Sequence, residues 1–435
     1  MFVLLVLLAG ISLRHAESLA VNSWVHDWIT PSSSLWGYGA MNGLLFSDDD
    51  VAFIAKTYRV VAISACLGSI NTSVADAIMS VAARIKAQNA NVRVLQYFNM
   101  QQWACYNRDV DPDYKVFLAN PQWWLLDDSG APVINNGSPQ YDWQNPAAVA
   151  HWLQMPIELN GTTLLDGFLL DGAAVYQTEA NINAQRTEAL KLAKWRAVGQ
   201  MQQRLSDANG GLCLANGMAG GGIDPFVPSD PFNLGVLNFT DGVENERGTP
   251  TFEYVDPLTG AFRLDAIAAN LAAVEVASNE ANGTKAIFVN YWAGPITGFS
   301  QYGNTSGWPT YAPDDASNRT PNGTKAEVVR GWSHLLETWL PFNLASFLTV
   351  AGPSTYFTQM VWYAAFQGFL PCPTAPDSCC TPQPFYPELF TKSLGAPAGP
   401  RQQVGAYRWV RHFEHAVVTL DLTDPLGPGT SIVWS

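Results

Sequence analysis

Short apolar segments alternate with longer helical segments along most of the chain. The segments Arg59–Ala65, Val92–Phe98 and Gly167–Leu170 are largely apolar at consecutive positions, as strands of a parallel sheet are when both faces are buried. Residues Val74–Gln88 instead place apolar side chains at helical spacing. This alternation predicts a parallel α/β fold.

The alternation continues as far as about residue 358. Further strands are predicted at 35–40, 212–215, 241–245, 286–289 and 356–358, and further helices at 146–159, 183–205, 264–278 and 325–339. Eight strands are what a closed (β/α)8 TIM barrel needs. Beyond it, the patterns at 407–413, 416–422 and 431–434 predict short β-strands. We therefore expect a barrel over 21–370, followed over 371–435 by a Pro-rich connection and a small C-terminal β appendage.

The first residues indicate entry into the secretory pathway. Phe2–Leu13 is an apolar run too short to span a bilayer, and Ser18–Ala20 supplies the small residues that a signal peptidase prefers. We expect residues 1–20 to be a signal peptide and the mature protein to be secreted, with no membrane span. Asn-x-Ser/Thr sequons agree with N-linked glycans, and they lie at Asn71, Asn136, Asn160, Asn238, Asn282, Asn304, Asn318 and Asn322.

Composition narrows the class of ligand. The net charge of −14 and the lack of a basic run argue against binding to nucleic acid or to an anionic membrane. Only 14% of the residues are charged, whereas sixteen are tryptophan, whose flat ring stacks on the apolar face of a sugar. The composition therefore favours a carbohydrate partner, with core packing as the alternative role of the tryptophans.

The six cysteines predict disulfides in an oxidising compartment. Cys372, Cys379 and Cys380 lie in the Pro-rich loop, and Cys66 and Cys105 pair if the strands that they follow are neighbours. Cys213 lies inside an apolar strand and is expected to be a free core thiol. Since there is neither a Cys-x-x-Cys pair nor a histidine cluster, we expect no metal, and no cofactor motif is complete.

Acidic residues stand where two predicted strands end, which is the edge at which barrel enzymes carry their sites. Asp171 ends the fourth strand, and Gly172 then allows a sharp turn. The sixth strand repeats the Asp-Gly start of the fourth, and by that offset Glu246 corresponds to Asp171, while period-two geometry places Glu244 on the same face. The structural alternatives are a cap or turn for Asp171 and an ion pair with Arg247 for the glutamates.

Two carboxyl groups facing each other across a barrel mouth suit glycoside hydrolysis, in which one is ionised and the other holds a proton. A separation of about 5 Å implies retention of configuration, and one of roughly 6.5–9.5 Å implies inversion. The other polar and aromatic residues of this edge are predicted to bind a sugar, with core packing as the alternative: Trp36, Tyr38, Tyr97, Asn99, Asn216, Tyr291, Trp292 and Gln359.

Three motifs carry a resemblance to a known group: Asp166–Gly172, Tyr141–Pro146 and Tyr407–Glu414. Together they resemble uncharacterised glycoside-hydrolase-like TIM-barrel families that are distantly similar to α-amylase and α-galactosidase barrels. The resemblance implies that Asp171 is the nucleophile. The segment Glu244–Glu246 departs from the apolar run that usually precedes the acid/base residue in those families.

We therefore expect a secreted glycoside hydrolase that uses two carboxylates in a retaining mechanism on an oligo- or polysaccharide. Asp171 is the expected nucleophile, and Glu246 or Glu244 the acid/base. The first alternative is a catalytically inactive carbohydrate-binding barrel. The second is a secreted surface or matrix protein without a sugar site.

Overall fold

The computed structural model describes residues 35–37, 48–63, 73–101, 103, 106, 108–135, 137–160, 164–173, 181–209, 211–216, 218, 234–248, 261–281, 283–292, 325–360, 369–370, 383–384, 389 and 392–435. The expected signal peptide and every cysteine except Cys213 lie outside these residues. Cys213 is buried and free, as predicted. Within the described ranges no helix has the length and hydropathy to cross a bilayer.

Parallel strands paired in chain order form the central sheet. Its strands are β1 (Leu35–Gly37), β2 (Val60–Ile63), β3 (Arg93–Asn99), β4 (Gly167–Asp171), β5 (Leu212–Asn216), β6 (Gly242–Gly248), β7 (Ala286–Trp292) and β8 (Thr355–Met360). Each strand pairs in parallel with the next one along the chain. This order in space is the one that successive βα units generate.

Helices separate most of these strands. They are α1 (Asp48–Thr57), α2 (Val74–Gln88), α3 (Pro112–Leu118), α4 (Pro146–Asn160), α5 (Ala184–Asn209), α6 (Leu264–Ala281) and α7 (Lys325–Val350). The prediction ended α7 at Trp339, but the helix continues past Pro341. Residues beyond the proline such as Phe342 and Phe347 are buried, so packing against the sheet outweighs the local break in hydrogen bonding.

The sheet curls so that its last strand, β8, comes near β2 and β3. Tyr356 on β8 lies within electrostatic range of Arg93 on β3 and of Arg59 just before β2. Side chains of intervening strands fill the inside of the curl, among them Leu169 and Phe288. The ring of Phe288 stacks on Tyr356 with centroids 5.1 Å apart. The fold is therefore α/β and TIM-barrel-like, with the described pairings running from β1 to β8.

A second sheet follows the barrel-like unit and packs on it. Its antiparallel strands are β9 (Gln402–Gly405), β10 (Arg408–His412), β11 (Ala416–Asp421) and β12 (Ser431–Trp434). The buried guanidinium of Arg411 donates to the carbonyl oxygens of Leu348 at 2.9 Å and Ala351 at 2.6 Å, at the end of α7. Such charge-assisted bonds to the last carbonyls of a helix fix the two parts together.

Candidate active site

Polar side chains replace apolar ones where the strands reach the carboxyl edge of the sheet. On β4, Leu169 fills the interior and Asp171, two residues later, ends the strand half-buried. On β5, Leu214 is followed at the same spacing by Asn216. Because side chains two residues apart share a face of a strand, these polar groups face the mouth of the curl.

Asp171 accepts hydrogen bonds from both neighbouring strands. On β3, the hydroxyl of Tyr97 and the amide of Asn99 donate to Oδ2, the amide at 2.8 Å. On β5, the amide of Asn216 donates to Oδ1 at 2.7 Å. Donors of this kind favour the ionised carboxylate over the neutral acid and fix its orientation. The main chain is held as well, since Met100 N–H donates to the carbonyl of Asp171 at 2.9 Å.

Glu244 lies on β6, one strand beyond Asn216. It is paired in register with Asn216, and its side chain is 1% exposed. The amide of Asn290 on β7 donates to Oε1 of Glu244. Strands in a sheet are about 4.8 Å apart, so β4 and β6 place the main chains of their two acids about 10 Å apart.

The fourth and sixth strands begin at different heights in the sheet. Gly167 pairs with a β5 residue two positions before the one that pairs with Gly242. The same number of residues counted from each Asp-Gly start therefore ends further along the sheet on β6 than on β4. The pairing brings Glu244 rather than Glu246 to the level of Asp171. Such stagger between strands accompanies the closure of a parallel sheet and is not encoded in a local repeat.

The pairing of β6 with β7 is irregular between Asn245 and Gly248. An extra residue in one strand interrupts the two-residue alternation of side chains. The alternation that put Glu244 and Glu246 on one face is therefore interrupted within this stretch. The side chain of Glu246 lies outside the described part of the structure.

The repeated Asp-Gly start itself has a structural role. Oδ2 of Asp166 accepts the N–H of Val94 at 2.7 Å, and Oδ2 of Asp241 accepts the N–H of Cys213 at 2.9 Å. In each case the carboxylate satisfies a main-chain donor at the amino edge of the adjacent strand. The similarity of the two segments therefore reflects how a strand starts beside its neighbour, at the edge opposite to the acids that end them.

Two of the predicted sugar-binding residues lie away from this cluster. Tyr291 is 1% exposed and packs in the layer between sheet and helices, where it stacks on Phe357 with centroids 5.3 Å apart. Gln359, which pairs in register with Tyr291, is also buried. Both placements favour the core-packing interpretation.

The structure does not describe the side chains of the remaining predicted sugar-binding residues. Trp36 and Trp292 lie on β1 and β7, but their side chains are outside the described part, as is all of Tyr38. Their contribution to binding stays a prediction.

Two residues near the acids were not among the predicted site residues. Asn290, the donor to Glu244, has the same two-residue spacing from the interior residue Phe288 as the other edge groups have from theirs. Lys194 on α5 is 0% exposed, and its Nζ donates to the carbonyl of Gly172 at 2.6 Å. Its helical spacing from the buried residues Leu190 and Val198 was the available signal.

The surroundings of Lys194 change the pKa of its ammonium group strongly. Burial lowers the pKa of its ammonium group to about 7, and the charge of Asp171 opposes that change. A buried lysine behind the end of β4 therefore interacts with the same carboxylate that Tyr97, Asn99 and Asn216 hold from the sheet.

No protein-family model and no curated protein matches this chain. Among solved structures, it is similar to a maltogenic α-amylase from Thermotoga neapolitana (10% identity, 91% of this chain and 86% of that one, TM-score 0.45). Amy13B from Eubacterium rectale gives 10% identity, 93% and 88% coverage and a TM-score of 0.46. An α-galactosidase from Lactobacillus brevis gives 10% identity, 90% coverage of this chain and 46% of that one, and a TM-score of 0.41.

Proposed function

We propose that this protein is a secreted glycoside hydrolase that cleaves O-glycosidic bonds of an oligo- or polysaccharide with retention of configuration. The observation that supports the proposal most is the setting of Asp171. Its carboxylate is half-buried at the carboxyl edge of the sheet and accepts hydrogen bonds from Tyr97, Asn99 and Asn216. A nucleophilic carboxylate has to be ionised and rigidly aimed, and these donors supply both conditions.

In the proposed first step, a carboxylate oxygen of Asp171 attacks the anomeric carbon while the bond to the leaving oxygen breaks. A second carboxyl group gives its proton to that oxygen, and a glycosyl ester on Asp171 results. The second group then takes a proton from water, whose oxygen attacks the anomeric carbon and releases Asp171. Atoms and charges balance over the cycle, and both groups return to their first state.

For the acid/base role we favour Glu244 over Glu246. Glu244 lies at the level of Asp171, separated from it by the single strand β5. Its burial favours a carboxyl group that keeps its proton, and the amide of Asn290 orients it. The two acids thus have different surroundings, which a pair with opposite protonation states requires.

The test begins with a panel of aryl α- and β-glycosides, on which wild type and the variant Asp171→Asn are assayed. The variant is nearly isosteric and should lose turnover by a factor of about 10³ or more while keeping its thermal unfolding temperature. Asp207→Asn, which changes an exposed acid of α5, serves as the matched control. A 2-deoxy-2-fluoro glycosyl fluoride of the accepted sugar should leave its mass on the peptide that contains Asp171. Undiminished turnover in Asp171→Asn would refute the assignment.

The near-complete burial of Glu244 also favours a second candidate function, that of a barrel that binds glycans without cleaving them. This candidate predicts retention of a ligand on a glycan array, no released product, and unchanged binding in Asp171→Asn. Detection of product with wild type and its loss in Asp171→Asn would exclude it.

Secretion is a separate part of the proposal, based on the first twenty residues and the sequons. Expression of the full chain in a eukaryotic host should give protein in the medium whose N-terminus follows Ala20. Treatment with an endoglycosidase should lower its apparent mass. Retention of an intact N-terminus inside the cell would contradict the expectation.

A further inference from the structure

Interactions with other elements fix the main chain at Asp171 and directly after it. Before it, the strand pairing sets Asn99 opposite Asp171, and after it the carbonyl of Gly172 accepts a hydrogen bond from Nζ of Lys194 at 2.6 Å. Lys194 comes from α5, which packs outside the sheet, and its side chain is fully buried. A lysine loses several favourable contacts with water when it is buried, so its placement needs a compensating interaction.

We propose that Lys194 is a positioning residue of the site, which fixes the turn after Asp171 and stabilises the Asp171 carboxylate from behind the strand. Its catalytic consequence depends on the proposed role of Asp171 as nucleophile. The effect of Lys194 on the ionisation of Asp171 does not depend on that role.

The electrostatic surroundings agree with this role. The charge of Asp171 acts on Lys194 and favours its protonated amine. Interaction between two charges is mutual, so a protonated Lys194 favours an ionised Asp171 to the same degree. From the sheet side, Asp171 faces the uncharged donors Tyr97, Asn99 and Asn216. Lys194 therefore adds a positive charge to a set of neutral donors.

Two variants separate the charge from the hydrogen bond. Lys194→Met removes both, whereas Lys194→Gln removes the charge and keeps an N–H donor for the carbonyl of Gly172, so that it preserves the turn if Lys194→Met fails to fold. Lys191→Met is the matched control, since Lys191 lies three residues earlier on α5, keeps 21% of its side chain exposed and pairs with Glu188 at 3.0 Å.

The measurement is the pH dependence of labelling of Asp171 by a water-soluble carbodiimide, followed by mass spectrometry of the peptide that contains it. Asp171→Asn identifies that peptide. We expect the labelling midpoint in both Lys194 variants to move upward by about one pH unit, because removal of a nearby positive charge favours the neutral acid. The acid limb of kcat/KM should move in the same direction, and Lys191→Met should move neither.

The outcomes distinguish this inference from the proposed function. Labelling profiles of Lys194→Gln that match those of Lys191→Met would overturn the inference, even if Asp171→Asn abolishes turnover. A shifted midpoint in a protein that cleaves no glycoside would support the coupling of Lys194 to Asp171 and refute the hydrolase.

Discussion

The amide of Asn216 donates a 2.7 Å hydrogen bond to Oδ1 of Asp171. Asn216→Asp keeps the shape of the side chain but puts a second carboxyl group beside the first. Like charges at this distance favour the protonated form of one member of the pair. We expect kcat/KM near neutral pH to fall by about 10²-fold and its acid limb to move upward by one to two pH units, roughly, in a pH–rate profile.

The control for this prediction is Asn91→Asp, which places the same new charge at an exposed position before β3. Its pH–rate profile should coincide with that of wild type. If Asn216→Asp also gives the wild-type acid limb, the donors around Asp171 do not govern its ionisation.

The choice between Glu244 and Glu246 has its own prediction. Loss of the acid/base residue slows glycosides with poor leaving groups far more than activated aryl glycosides, because only the former need the proton. We therefore expect Glu244→Gln to lose about 10³-fold with an alkyl leaving group and about ten-fold with a nitrophenyl one, with azide restoring part of the rate as a glycosyl azide. Glu246→Gln should lower both rates equally. The reverse pattern would transfer the role to Glu246.

Sequence patterns predicted most of the helices and strands, because the residues within and next to such an element largely determine it. The helix 74–88 was predicted to the residue, since Ser73 caps its first turn and its apolar positions repeat at helical spacing. β12 was likewise predicted at both ends. The errors have non-local causes. The continuation of α7 past Pro341 depends on contacts that its second half makes with the sheet, and these are invisible in sequence.

In the candidate site, too, the features with local causes were predicted and those with non-local causes were not. Strand ends were sufficient to select Asp171, Tyr97, Asn99 and Asn216, which the structure brings together. A strand end does not say which face a residue occupies, and Tyr291 faces the helices. Stagger between strands is also a property of the whole sheet. The sequence therefore could not predict whether Glu244 or Glu246 lies level with Asp171.

Close approach of two strands makes a glycine essential at the start of β6. A Cβ atom on Gly242 would lie 2.3 Å from the carbonyl oxygen of Ala286, whereas one on Gly399 would have no neighbour within 4 Å. We expect Gly242→Ala to lower the free energy of unfolding by about 3 kcal/mol or more, because the clash is with main chain, and Gly399→Ala to change it by less than about 0.5 kcal/mol. Urea denaturation of both variants measures the difference, and equal midpoints would contradict the pairing of β6 with β7.

The buried Lys194 should give the protein a characteristic dependence of stability on pH. Burial lowers its pKa to about 7, while a lysine in an unfolded chain titrates near 10.4, roughly. Between these values the unfolded chain binds more protons than the folded one, so the contribution of Lys194 to the free energy of unfolding rises with pH. Below about pH 7 both states carry the charge, and the contribution is constant.

We therefore expect the free energy of unfolding of wild type, less that of Lys194→Met, to be flat just below about pH 7, above the range in which Asp171 titrates, and to increase by a few kcal/mol, roughly, up to about pH 10. Urea unfolding at fixed pH values measures it, and taking the difference cancels the other groups that titrate in this range. The same difference for Lys191→Met should stay flat throughout, since Lys191 is part-exposed and pairs with the exposed Glu188. A flat difference for Lys194→Met as well would mean that its amine titrates as it does in water, which is incompatible with a fully buried Nζ bonded to Gly172.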